Sequence, residues 1–141
     1  MTRTRARWLG RRGQAGTASV FVVGFAIVLL ACAGLVIDGG AALNARMKLA
    51  DDVEQAARAG ADEIDVDALR SGGTVTLDRS AAEAAAFDYI SVQAPDSATA
   101  LANATSVTVT ATDTVPTTML QLVGLRSFDI SASATAEAIT Q

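Results

Sequence analysis

Twenty consecutive residues near the start of the chain are almost entirely apolar. The segment from Ala18 to Ile37 reads ASVFVVGFAIVLLACAGLVI, and its only polar side chains are Ser19 and Cys32. A helix of about 20 residues crosses the ~30 Å hydrocarbon layer of a bilayer. The pattern therefore predicts a transmembrane helix over residues 17–37.

The chain beyond the apolar segment keeps a helical pattern, with apolar residues on one side only. Asp38, Gly39 and Gly40 mark the predicted exit from the bilayer, and residues 41–65 contain no proline and many good helix formers. Apolar residues then recur every three or four positions, as on one face of a helix. We expect a helical extension over residues 38–65 that offers this stripe for burial: Leu43, Met47, Ala50, Val53, Ala57, Ala61 and Ile64.

The remaining residues, 66–141, mix helical and strand patterns. Asp78 or Ser80 is a suitable N-cap for a second helix, and alternating Val and Thr are typical of a half-buried strand. We expect two strands that pair antiparallel across a short helix and pack on the upper part of the long helix. The predicted fold class is therefore α+β, pilin-like, with these elements: helix 81–90, strand 106–111, an apolar helix 117–123 opened by Pro116 and closed by Gly124, and strand 128–138.

Charge is distributed very unevenly along the chain. The first sixteen residues contain five arginines and no acid, whereas the remainder contains all fifteen acids and the other six bases. Because basic flanks are retained on the cytoplasmic side, we expect a single-pass protein in the cell membrane with residues 1–16 in the cytoplasm and the acidic domain outside it. The orienting residues are Arg3, Arg5, Arg7, Arg11 and Arg12.

An N-terminal basic run before an apolar run is also typical of a secretory signal. Ala31, Cys32 and Ala33 fit a cleavage site before Gly34, and Leu29 to Cys32 approach the lipobox of a lipoprotein. The apolar run continues to Ile37, beyond either cut, which favours a retained helix. A lipoprotein or secreted protein processed near Cys32 remains the alternative.

The composition argues against most catalytic and nucleic-acid functions. The chain has no histidine, a single cysteine and 4% aromatic residues. These features remove the commonest general base, cysteine-rich zinc sites and the stacking surfaces of RNA-binding domains. The acidic stretch DEIDVDALR at 62–70 lacks the glycine and terminal glutamate of an EF-hand. We expect no enzymatic activity, no cofactor, no metal, no nucleic acid and no small-molecule substrate.

Five short segments, taken in order, resemble a known family. They read RGQAGTASVF at 12–21, VIDGG at 36–40, AARAGA at 56–61, VPTTMLQLVGL at 115–125 and ISASATAEA at 130–138. The combination is similar to TadE/TadG-like proteins of tight-adherence (Flp-type) pilus systems, particularly the actinobacterial kind. The resemblance implies a minor pilin or assembly component, with other pilin-like or Tad assembly proteins as partners.

The same resemblance bears on processing of the N-terminus. Prepilin-like members carry a glycine at the cleavage site and a glutamate a few residues into the apolar segment. Gly13 and Gly16 are the candidate processing sites, but the glutamate position is occupied by Phe21. This departure favours a membrane-retained assembly or priming factor over a bulk fibre subunit.

Small residues recur every seven positions along the apolar segment, and they allow helices to approach closely in lipid. We expect this seam to pack, together with the apolar stripe, against a related pilin-like partner. From a different class, the alternative is a single-pass anchored extracytoplasmic module that binds a ligand or a cell-wall component. The seam consists of Ser19, Ala26, Ala33 and Gly40.

Overall fold

The computed structural model of the chain describes residues 14–138. The five orienting arginines and Gly13 lie outside these residues. The described part contains one long helix, two shorter helices, a 3-10 helix and three strands. It confirms the predicted fold class: α+β, with a long apolar N-terminal helix and a small domain packed on its second half.

The long helix, α1, runs without interruption over Gln14–Ala61. Its 48 residues correspond to a length of about 72 Å at 1.5 Å per residue. Gly39 and Gly40 lie inside it, so the glycine pair does not break the helix. It ends at Ala61, four residues before the predicted end, because Asp65 caps a separate short helix, α2, over Val66–Arg70.

The third helix, α3, spans Arg79–Val92 and is longer than predicted at both ends. Asp78 is its N-cap, and one carboxylate oxygen accepts the backbone N–H groups of Ser80 and Ala81 at 3.1 and 3.2 Å. This side chain satisfies donors that every helix start leaves unpaired. Tyr89 ties α3 to α1, since its hydroxyl donates to Gln55 Oε1 at 2.8 Å.

Three antiparallel strands form one sheet in the order β1-β2-β3, over Ser97–Ala102, Ser106–Pro116 and Ser127–Glu137. The predicted antiparallel pairing of the last two strands is confirmed, with Val109 opposite Ala134. The sheet has one strand more than the two expected, because β1 reads SATALA and lacks the β-branched pattern that marks a strand. Pairing with β2 holds it in place, and the Glu83 carboxylate accepts the N–H of Ala102 at 2.9 Å.

The loop between β2 and β3 also differs from the predicted short helix. Pro116 is the last residue of β2 rather than the first of a helix, and only Leu120–Val123 form a helical turn, of the 3-10 type. Gly124 closes this turn with φ +95°, a left-handed conformation that glycine adopts without strain. The result is a long hairpin with a compact apolar tip.

The core lies between the second half of α1, α3 and one face of the sheet. It is built largely from small side chains, and the helices approach closely. A Cβ added to Gly60 would lie 2.7 Å from the carbonyl oxygen of Ala82 and 3.0 Å from Ala86 Cβ. The buried residues of this cluster include Leu49, Val53, Ala56, Ala57, Leu77, Ala82, Ala86, Ile90, Val107, Val109, Ala111 and Ile130.

Candidate membrane and assembly surface

The first half of α1 exposes nearly all of its apolar side chains. From Val20 to Leu30 every large hydrophobic residue is exposed, and so are Leu35, Val36 and Ile37. Among residues 14–138, α1 is the one helix long and apolar enough, by length and composition, to cross a membrane. Such a surface is unfavourable in water, and lipid or other apolar helices are its natural surroundings.

Asp38 connects the end of this apolar surface to the β2–β3 loop. Its side chain accepts three backbone N–H groups: Thr118 at 3.0 Å, Met119 at 2.9 Å and Leu120 at 2.7 Å. These donors lie at the start of the 3-10 helix, where backbone N–H groups lack partners within the turn. Asp38 was predicted to mark the exit from the bilayer, where a carboxylate reaches water. The residue is only 4% exposed, and its carboxylate anchors the loop.

Gly34 provides the surface on which this loop rests. A Cβ added at Gly34 would lie 2.9 Å from Met119 Cβ and 3.7 Å from Leu120 Cδ2. The loop backbone can therefore come this close to α1 only because position 34 has no side chain. Gly34 lies one helical turn before Asp38, inside the apolar segment.

A groove of about 750 Å³ lies between α1 and β3. The residues of α1 that line it include some on either side of Asp38 in the sequence. Its walls are mostly apolar, with Leu35, Leu43 and Phe128 among the larger side chains, and Arg46 and Asp129 supply charge. Gly39 and Gly40 form part of its floor, where a neighbouring chain would meet backbone rather than side chains. These properties suit a helix or another apolar chain.

The structure places the residues of the predicted seam on the open side of α1. Ser19, Ala26 and Ala33 are exposed, and Gly40 is half-buried as part of the groove. None of the four belongs to the core of the domain. Their packing against a partner helix stays a prediction.

The structure divides the predicted apolar stripe into two parts. Val53, Ala57 and Ala61 are buried, and Ile64 is half-buried beyond the helix end, where it pairs with Leu77. Leu43 and Met47 remain 63% and 59% exposed, and Ala50 is exposed as well. The domain also buries Leu49 and Ala56, which lie outside the predicted stripe on the same helix. Alanines occupy several faces of this part of α1, so more than one face is able to pack closely.

The candidate processing residues show no special geometry. Gly16 is exposed near the start of α1, and Cys32 is exposed within its apolar half. Phe21 stacks on Phe25 with ring centroids 6.3 Å apart. Within residues 14–138, no group of three or more His, Cys, Asp or Glu side chains is arranged to hold a metal ion.

Sequence reasoning missed the positioning roles of Asp38, Gly34 and Gly60. A signal for the first was present: a single acid stands at the end of a twenty-residue apolar run, where a charge needs either water or donors. The roles of the two glycines depend on which distant segments cross α1. That information is not contained in the local pattern.

The fold and surface define a small α+β domain on a helix of membrane-spanning type. Comparison with protein families adds a match between residues 16–63 and a family described as "Putative Flp pilus-assembly TadE/G-like". The match takes in 48 of the 141 residues, almost all of α1 together with the turn after it. The resemblance to TadE/TadG-like proteins is thus confirmed over this segment. Neither the curated proteins nor the solved structures gave a match.

Proposed function

We propose that the protein is a membrane-anchored, pilin-like component of a tight-adherence pilus assembly, acting as a minor pilin or as an assembly or priming factor through helix packing. The observation that carries this proposal is the coincidence of the family match with α1. The matched helix exposes an apolar half and carries a domain on its other half. This is the arrangement that a subunit needs if it is to assemble through its helix while displaying a domain.

The proposed topology places the arginine-rich N-terminus in the cytoplasm and the acidic domain outside the membrane. Cysteine labelling in intact cells tests this orientation. In a Cys32→Ala background, a membrane-impermeant maleimide should label the Thr74→Cys variant, at an exposed position, but not the Thr4→Cys variant. Labelling of the Thr4→Cys variant alone would reverse the topology.

Packing through the seam is supported by the position of its last member. Gly40 lines the same groove as Leu43 of the apolar stripe, so a partner helix lying along the seam would continue into the groove. The small residues below it permit close approach in lipid. The exposed part of the stripe, including Met47, is then available to the same partner.

Cysteine cross-linking in native membranes tests the seam. In the Cys32→Ala background, the Ala26→Cys and Ala33→Cys variants should form disulfide-linked dimers or heterodimers. The Val28→Cys variant is the control, because position 28 lies about 200° around the helix from position 26. Equal cross-linking at all three positions, or none at positions 26 and 33, contradicts the seam.

Deletion of the gene in the native host tests the pilus role. We expect loss or shortening of surface pili, restored by the full-length chain. Normal pili in the deletion strain would favour the second candidate function, an anchored extracytoplasmic binding module. The observation in favour of that candidate is the groove between α1 and β3, which is large enough for a ligand.

The location of the protein in pilus preparations separates a minor pilin from a membrane-retained factor. Phe21 in place of glutamate supports retention, so we expect the protein in the membrane fraction rather than in sheared fibres. Mass spectrometry of the mature N-terminus tests processing. A chain that starts at Cys32 or Gly34 would replace the anchored form with a lipoprotein or a secreted protein.

A further inference from the structure

We infer that the tip of the β2–β3 hairpin, residues 117–125, inserts into the bilayer surface that the domain faces and forms a second lipid contact beside α1. This role rests on the proposed membrane anchoring. Lipid, rather than another protein, contacts the exposed apolar tip, because the loop is held at the level where the predicted transmembrane segment of α1 ends. Two contacts set that height, one at Asp38 and one at Gly34.

The loop is held level with the apolar segment of α1. Gly34 lies three residues before Ile37, which corresponds to about 4.5 Å along the helix axis. Met119 packs directly on Gly34, so the loop backbone lies beside a part of α1 that still belongs to the predicted span. When α1 crosses the membrane, this loop is brought to the lipid boundary.

Most of the large side chains that the loop presents outward are apolar. The loop also exposes two uncharged polar side chains, Thr118 and Gln121, and Gln121 Nε2 donates to the Thr118 carbonyl at 2.9 Å. Leu122 is 84% exposed, and Met119, Val123 and Leu125 are exposed as well, whereas Leu120 points into the contact with α1. No charged residue occurs from position 114 to position 125. This exposed apolar patch continues the exposed apolar surface of α1.

Most of the backbone N–H groups of the loop are already paired, which lowers the cost of placing them in lipid. Three N–H groups donate to Asp38, and the N–H of Thr117 donates to the carbonyl of Arg126. The N–H groups of Leu122, Gly124 and Leu125 donate to carbonyls within the loop. These seven donors need no water, so the tip can leave the aqueous phase without losing their hydrogen bonds.

A single basic residue follows the tip. Arg126 is exposed and comes directly after Leu125, at the start of the returning strand. A long basic side chain at this height can place its guanidinium among lipid phosphates while its methylene groups remain in apolar surroundings. An apolar tip followed by an arginine matches the hydrocarbon layer and the adjacent phosphate layer of a bilayer surface.

Tryptophan fluorescence of the full-length chain in phosphatidylcholine vesicles tests the insertion. Trp8 is the only tryptophan, so a Trp8→Phe background allows one probe at a time. Leu122→Trp reports on the tip, and Val28→Trp reports on the span. Leu101→Trp is the matched control, because Leu101 is 68% exposed on β1. The next residue, Ala102, pairs with Val107, which lies beside Gly60 at the far end of α1.

We expect the Leu122→Trp variant to show emission at shorter wavelength than the Leu101→Trp variant and to lose most of its intensity when the vesicles contain brominated lipid. The Leu101→Trp variant should lose little. Quenching at position 28 without quenching at position 122 overturns the inserted loop and leaves the anchor intact. Absence of quenching at both positions overturns the anchor as well, and equal quenching at position 101 overturns the inferred height.

Discussion

The carboxylate of Asp38 accepts the backbone N–H of Leu120 at 2.7 Å, although the two residues are 82 positions apart. With the bonds from Thr118 and Met119, this contact fastens the hairpin tip to α1. One acidic side chain thus joins the first half of the chain to its last hairpin.

Asp38→Asn should release the hairpin tip from α1. The amide retains one acceptor oxygen but places an NH₂ group against N–H donors, so at least one of the three bonds is lost. We expect faster amide hydrogen exchange over residues 117–125 in micelles, with unchanged exchange in α3. Asp51→Asn, at an exposed position on the same helix, is the control. Equal protection of the loop in both variants would show that Asp38 does not hold it.

Gly60→Ala should destabilise the domain, because the added methyl would lie 2.7 Å from the carbonyl oxygen of Ala82. Overpacking of this kind costs about 1 to 3 kcal/mol, which exceeds the gain in helix propensity of about 1 kcal/mol at most. Gly39→Ala is the matched control, since nothing lies within 4 Å of its Cβ position. The midpoint temperature of thermal unfolding in detergent should therefore fall for Gly60→Ala and not for Gly39→Ala. A rise in both midpoint temperatures would contradict the close approach of α1 and α3 at Gly60.

Ile90→Ala should reduce stability by about 2 to 5 kcal/mol, the usual cost of truncating a large buried aliphatic side chain. Ile90 is fully buried where α3 faces α1 and the sheet. Val92→Ala, two residues along α3 and exposed, should change stability by less than about 0.5 kcal/mol. Denaturant unfolding of both variants measures the difference. Similar midpoints would mean that α3 is not part of the core.

The stability of α3 should decrease in acid because of Asp78. The Ser80 hydroxyl, donating at 2.8 Å, lowers the pKa of Asp78 most strongly, followed by the N–H of Ala81. Desolvation opposes them and is followed by the weakest effect, the N–H of Ser80, which also lowers the pKa. A carboxyl whose pKa is lower in the folded state stabilises the fold above its unfolded pKa of 3.8, and the contribution is lost as pH falls through the folded pKa.

Asp78→Asn should therefore flatten the acid dependence of unfolding, measured at neutral pH and well below 3.8. Asp88→Asn, an exposed position on the same helix, should retain the dependence of the original chain. An unchanged slope in Asp78→Asn would assign the acid sensitivity to other groups.

Local patterns predicted the elements whose signal is contained within their own residues. The length of the apolar run and the absence of proline predicted α1, a cap at Asp78 or Ser80 predicted α3, and alternating Val and Thr predicted β2. Each of these signals depends on neighbours within a few positions. Periodicity, capping and alternation are properties of that range.

The elements that escaped prediction depend on distant partners. β1 is a strand because β2 pairs with it, not because of the propensity of Ala98 or Ala100. Likewise, Leu49 is buried and Leu43 is exposed because of where the sheet lies on α1, and alanines on several faces gave the helix no strong preference. Asp38 belongs to the same class, since its donors follow it by about eighty residues.

The continuity of α1 has a mechanical consequence. The β2–β3 hairpin is fastened to the same helix at two heights, through the core around Val53 and through Asp38. Within residues 14–138, no flexible linker separates the domain from the apolar half of α1. A pull or a rotation applied to that half is therefore transmitted directly to the sheet, and the domain moves together with the helix that anchors it.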